Sequence, residues 1–250
     1  PPAPYKSQLT SRHIPHCRGL WEVYESETQF CIYIPLRFLT SWFVPFLLIK
    51  YTANGNVKIS VIQSERALYT DVHNNNHWAA KSVDFVGALG IMKGIGDDKF
   101  APDSHLTRAM LVTMLYRADG EPEVETVNSF GDIKENAWYE KAVLWAKENG
   151  IVNGVTETEF SPDSDITREQ IATIMHRYAK YKGDDVESGK NTNILSYNDS
   201  DSISDYAKAS LQWANGIGLI NGKTESTLNP LDNATRAEAA TIFYRFVKAN

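Results

Sequence analysis

Three arginines stand at matched places in this 250-residue chain. They are Arg108, Arg168 and Arg236, in the runs Thr107-Arg108-Ala109-Met110, Thr167-Arg168-Glu169-Gln170 and Thr235-Arg236-Ala237-Glu238. Threonine is a good N-cap, so each arginine should take the first position of a helix. A cation there meets the positive end of the helix dipole, at a cost of roughly 0.3–1 kcal/mol where it is exposed. Two chemistries can offset that cost. Free N–H groups at a helix start, with a guanidinium beside them, can hold a carboxylate by paired hydrogen bonds. Alternatively each arginine pairs with a nearby acid, Asp103, Asp165 or Asp232. The residues taken by themselves leave both open.

Other residues repeat with the arginines. Trp78, Trp138 and Tyr206 each lie 30 positions earlier, Gly94, Gly154 and Gly222 lie 14 earlier, and Pro102, Pro162 and Pro230 lie six earlier. The copies are 60 and 68 residues apart, and the extra eight fall in a Gly/Asp/Ser/Asn-rich linker, residues 183–196. A tryptophan here either stacks on a sugar face or fills the core between helices. The glycines meet a backbone demand at a turn, with close approach to a ligand as the second reading. Arg117, Arg177 and Arg245 recur nine residues after the first arginines, near the helix C-termini where a cation suits the dipole, and read as structural.

Each copy reads as two helices. The first follows an aromatic-x-Asp opening: Tyr69-Thr70-Asp71, Phe130-Gly131-Asp132 and Tyr197-Asn198-Asp199. In the second copy Trp138, Ala142, Trp145 and Ala146 are spaced as one apolar helical face. Gly90, Gly150 and Gly218 stand where a glycine stops a helix. The second helix begins at the Thr-Arg pair. Thr167 with Gln170 and Thr235 with Glu238 complete capping boxes, and Met110 leaves the first copy without one. Its apolar stripe is Leu111, Met114, Leu115; Ile171, Ile174, Met175; and Ala239, Ile242, Phe243. One hairpin is too small to bury such a stripe, so the three second helices are expected to share one core.

Together these features resemble the S-layer homology (SLH) domain family, over residues 70–250 in three tandem copies. The resemblance rests on Trp78, Trp138, the paired glycine stops, the Phe/Leu-x-Pro turns and the TRAM, TREQ and TRAE runs. It implies a mainly α fold, a pseudo-three-fold bundle of helical hairpins over residues 70–124, 128–183 and 196–250. It also implies a secreted protein at the bacterial cell surface, anchored non-covalently to the wall. The implied partner is a secondary cell-wall polysaccharide, often carrying a pyruvate ketal on a terminal amino sugar. The ligand-binding positions that carry over are Arg108, Arg168, Arg236, Trp78, Trp138, Gly94, Gly154 and Gly222. The third copy departs from the pattern at Tyr206 and at Leu228-Asn229-Pro230, so the three-fold pattern should break there. Removal of one groove arginine is expected to weaken binding and spare the fold.

Nothing else in the chain points to chemistry. Asp199, Asp201 and Asp205 lack the glycine and glutamate of a calcium loop. His73 and His77 have no evident third ligand, and no nucleophile elbow, P-loop or dinucleotide fingerprint occurs. No enzyme, metal or cofactor is expected in this stretch. A self-assembling surface-layer subunit is the rival reading, as is an anchor for an enzyme lying upstream.

The formal net charge is −6, which argues against nucleic acid or an anionic membrane as partner. Residues 1–70 carry seven Lys/Arg and four Asp/Glu, whereas the remainder carries 18 and 27, so the two parts are different material. Residues 1–50 have no assigned fold. The tract 30–49 is apolar, but Arg37, Pro35 and Pro45 speak against a membrane span and favour buried strands. Asn54-Gly55 signals a hairpin, so residues 51–69 read as the end of a truncated β domain. Pro1 in place of Met points to a fragment or processed chain.

Overall fold

The computed structural model describes residues 69–249, together with the backbone of strands Glu22–Ser26 (β1), Gln29–Pro35 (β2), Phe46–Tyr51 (β3) and Val57–Ile62 (β4). The four strands form an antiparallel meander in the order β1-β2-β3-β4, with Ile32 opposite Ile49 and Tyr51 opposite Val57. The apolar tract thus contributes β2 and β3, and the segment between β3 and β4, with Asn54-Gly55, lies outside the described residues. This sheet belongs to a separate compact unit, residues 1–63.

The second unit, residues 64–250, is helical. Its elements are Thr70–His73 (α1), Ala80–Ala88 (α2), Arg108–Ala118 (α3), Glu140–Glu148 (α4), Arg168–Lys182 (α5), Lys208–Gly216 (α6) and Arg236–Ala249 (α7). The helices α3, α5 and α7 start at the three Thr-Arg pairs. Thr107 Oγ1 accepts from the Met110 amide, Thr167 and Gln170 close a capping box, and Thr235 and Glu238 close another. Gly90, Gly150 and Gly218 end the first helices in the left-handed region at φ 68°, 67° and 72°. The nine apolar stripe residues of the second helices are all buried, in one continuous core. Each such leucine or isoleucine contributes about 1.5–3 kcal/mol on burial.

The hairpins interlock rather than stand alone. The first helix of each copy packs on the second helix of the copy before it: α4 on α3, α6 on α5, and α2 on α7 to close the circle. Backbone hydrogen bonds close it as well. The Ile166 amide donates to the Leu106 carbonyl, Leu106 to Ala234, and Ala234 back to Ile166, each at 2.9 Å. The free N–H groups at each second-helix start find carbonyls in the next copy. Arg108 and Ala109 donate to Ser164 and Pro162, Arg168 and Glu169 to Asp232 and Pro230, and Arg236 and Ala237 to Ser104 and Pro102. The Pro turn of one copy is therefore the helix cap of another.

Candidate functional site

Each of the three arginines is 6–7% exposed and reaches into the next copy around the circle. Arg108 donates from Nε to the Phe160 carbonyl (2.9 Å) and from Nη2 to Asn153 (3.3 Å). Arg168 makes the same pair to Leu228 (3.1 Å) and Asn221 (2.7 Å). Arg236 makes it to Phe100 (2.8 Å) and Lys93 (2.7 Å). Two of the guanidiniums also lie over rings, Arg108 at 4.7 Å from the Phe160 centroid and Arg236 at 4.5 Å from Phe100. Burial pushes all three pKa values down from the ordinary arginine value; Tyr206 and Asp132 push Arg108 back up, and Glu238 and Asp232 do so for Arg168. An arginine has ample margin to stay charged.

Two expectations drawn from the spacing need correction here. The helix N–H groups are not offered to an anion, because neighbouring carbonyls already take them. Nor do the arginines pair with the nearby acids. Asp103 bonds His77, Asp165 bonds His105 and Asn233, and Asp232 bonds Asn229. The arginines serve folding as inter-repeat clamps. The corner Nη1 remains. In Arg108 and Arg236 it has no partner among the described residues yet keeps solvent access, and in Arg168 it lies 4.0 Å from Glu238 Oε1.

The aromatic positions divide as burial directs. Trp145, on the buried face of α4, is in the core, whereas Trp138 precedes that helix and is 59% exposed. Trp78 is 63% exposed and Tyr206 55%. These three rings sit at the starts of the first helices, and each first helix packs on the second helix of the preceding copy. Tyr206 donates its hydroxyl to Glu169 on α5 at 2.8 Å. The positions equivalent to the Tyr206–Glu169 pair are Trp138 with Ala109 on α3 and Trp78 with Ala237 on α7. By this equivalence each arginine belongs with parts of all three copies: the arginine from one, a loop from the next, and an exposed ring from the third.

Gly94, Gly154 and Gly222 floor these loops. A Cβ on Gly94 would lie 2.6 Å from the Lys99 carbonyl and 2.6 Å from the Tyr69 ring. On Gly154 and Gly222 it would run into Glu159 and Phe130, or into Thr227 and Tyr197. The residue before each glycine, Lys93, Asn153 or Asn221, supplies the carbonyl that receives Nη2.

The spacing alone did not mark out the aspartates of the aromatic-x-Asp openings as part of the site. Asp71 accepts from the Phe100 and Ala101 amides, Asp132 from Phe160 and Ser161, and Asp199 from Leu228 and Asn229. They hold the residue before each Pro, Ala101, Ser161 or Asn229, at φ 56°, 59° and 53°. That conformation costs a non-glycine residue roughly 1–2 kcal/mol, which the paired hydrogen bonds offset. Threefold recurrence was the available signal. The other titratable clusters are used internally. His73 bonds Asp84, and among the described residues no group of three His, Cys, Asp or Glu could hold a metal. No helix among them is long and apolar enough to cross a membrane.

Comparison with known proteins picks out the same three tandem copies. The S-layer homology domain family matches at residues 68–109, 129–172 and 196–240. The chain is 32% identical to an exoglucanase, XynX, of Acetivibrio thermocellus, over 75% of this chain and 17% of that protein. It is 30% identical to the surface-layer 125 kDa protein of Lysinibacillus sphaericus, over 73% of this chain and 15% of that protein. It is 24% identical to a cellulosome-anchoring protein of A. thermocellus, over 62% and 34%. The chain thus spans a minor part of each relative's length. It belongs to the S-layer homology domain family, a module of secreted bacterial cell-surface proteins.

Proposed function

We propose that residues 69–249 anchor a surface protein non-covalently to the bacterial cell wall by binding an anionic wall polysaccharide, of the pyruvylated kind, in the grooves between copies. The observation that carries this reading is the guanidinium arrangement. Each arginine is held rigid by two backbone carbonyls of the next copy, and its third corner is left for a ligand carboxylate or, in Arg168, shared with Glu238. Preorganised in this way, a cation binds without the ordering cost of a surface side chain. Exposed rings at Trp78 and Trp138 rim two of the grooves and offer flat faces to a sugar, whereas the Tyr206 hydroxyl is already taken by Glu169. The module performs no covalent chemistry in this reading; an enzyme carried upstream would be held at the wall by it.

The test is a pulldown of the chain on purified wall sacculi before and after the polysaccharide is stripped. Retention on intact sacculi and release on stripped ones is the expected result. Equal retention on both would overturn the reading. Concentration-dependent sedimentation without glycan would favour a self-assembling surface layer, a reading suited to the surface-layer relative.

A further inference from the structure

The three grooves share a backbone plan but not a chemistry. Beside Arg108, on the side of Tyr206, stands a resident carboxylate. Glu169 is only 3% exposed, and its carboxylate accepts from the Ser204 amide (3.0 Å), the Ser204 hydroxyl (2.8 Å) and the Tyr206 hydroxyl (2.8 Å). The position holds alanine in the other copies, Ala109 and Ala237. A resident carboxylate thus takes the polar groups that line this groove, and its charge repels a second anion. Around Arg168 the cation is partly matched. Glu238 lies 4.0 Å from Nη1 and is also held by Lys223 at 3.2 Å. Around Arg236 the corresponding cap position is Met110, and Nη1 has no hydrogen-bond or ion-pair partner among the described residues, although the charge of Asp71 is felt at the guanidinium. That groove also retains Phe100 under the guanidinium and, by repeat equivalence, Trp138 with Ala109.

We infer that one groove takes the anionic ligand: the one built from Arg236 of the third copy, the Lys93–Phe100 loop of the first and Trp138 of the second, with Glu169 acting as a built-in stopper that closes the Arg108 groove. The inference rests on the anchoring reading above and adds a choice of site to it. The departures of the third copy, Tyr206 and Leu228, fall in the other two grooves because the copies interlock. The copy with the least typical sequence therefore contributes its arginine to the most complete groove.

The test uses the full chain, NMR mapping and titration, and a defined probe: the methyl glycoside of a 4,6-pyruvylated N-acetylhexosamine, with the unpyruvylated glycoside as control. The pyruvylated probe should shift the Trp138 indole and the Arg236 Nε–H, leave the Ser204 amide still, and saturate without involving Tyr206. Trp138→Ala should weaken binding about tenfold or more, whereas Tyr206→Ala should leave it within about twofold. Both rings are exposed, so both variants should fold. Glu169→Ala, which installs the residue of the other copies, should add Ser204 and Asn153 to the shifting set. Shifts at Ser204 in the unaltered protein, or loss of binding in Tyr206→Ala and not in Trp138→Ala, would overturn the assignment of the groove while leaving anchoring intact. No shift anywhere, or equal binding of both glycosides, would overturn the anchoring chemistry itself and this assignment with it.

Discussion

At the scale of single residues, the arginines' clamping of neighbouring copies and the binding proposed for them cannot be separated by deletion. Arg168→Ala removes two hydrogen bonds from a charged donor and strands the buried carbonyl of Leu228. We expect a loss of about 2–4 kcal/mol, read as a lower urea midpoint, so removal of a groove arginine should cost stability as well as binding. The spacing showed where the arginines are but not what they hold. Their partners lie 45 to 143 residues away, and in a chain of similar copies a contact within a copy and one to its neighbour look alike. Asp199 gives a second residue-scale test. Burial pushes its pKa up, but the Leu228 and Asn229 amides and the Arg168 charge more than offset this, so the folded value lies below the ordinary one. A depressed carboxylate adds stability that is complete above its unfolded value, about 3.9, and that fades as pH falls through the folded value. Urea unfolding of Asp199→Asn against the unaltered protein should show the full gap at pH 7 and a shrinking one below about pH 4.

At the scale of elements, the caps and stops were the most legible part of the chain, because each depends on residues three or four apart. The Thr caps, both capping boxes, the left-handed glycines and the buried stripes all follow from local spacing. Trp138 was misplaced on the helical face with Trp145 because periodicity cannot say where a helix begins; α4 starts two residues later, at Glu140. Two glycines of one copy differ in a way that substitution can expose. Gly150 has φ +67° and open space around its missing Cβ, so Gly150→Ala pays chiefly the conformational cost, roughly 1–2 kcal/mol. Gly154 has Glu159 and Phe130 where its Cβ would go, so the loop must move. Gly154→Ala should cost about 1–3 kcal/mol from overpacking and also displace the Asn153 carbonyl that receives Arg108. Thermal melts should therefore show a loss for both variants. Only Gly154→Ala should alter the Arg108 side-chain resonances.

At the scale of the whole helical unit, the circle is what makes the copies one structure. A linear array of repeats can lose its end and keep the rest, because each unit leans on one neighbour. Here every second-helix start is capped by the following copy, and the last copy caps itself on the first. Deleting residues 184–250 would take away α6 from the face of α5 and α7 from the face of α2. It would also remove the Asp232 and Pro230 carbonyls that cap α5, and both acceptors of Arg168. Buried N–H groups without acceptors cost about 1–3 kcal/mol each, and the faces of α5 and α2 that α6 and α7 cover would be bared to water. Against a net stability of only about 5–15 kcal/mol for a domain, those losses exceed what two copies can bear. The truncated chain should then show no cooperative thermal transition by circular dichroism, where the intact chain shows one. A sharp two-copy transition would mean that each hairpin pair folds on its own, and that closure of the circle serves the grooves rather than the fold.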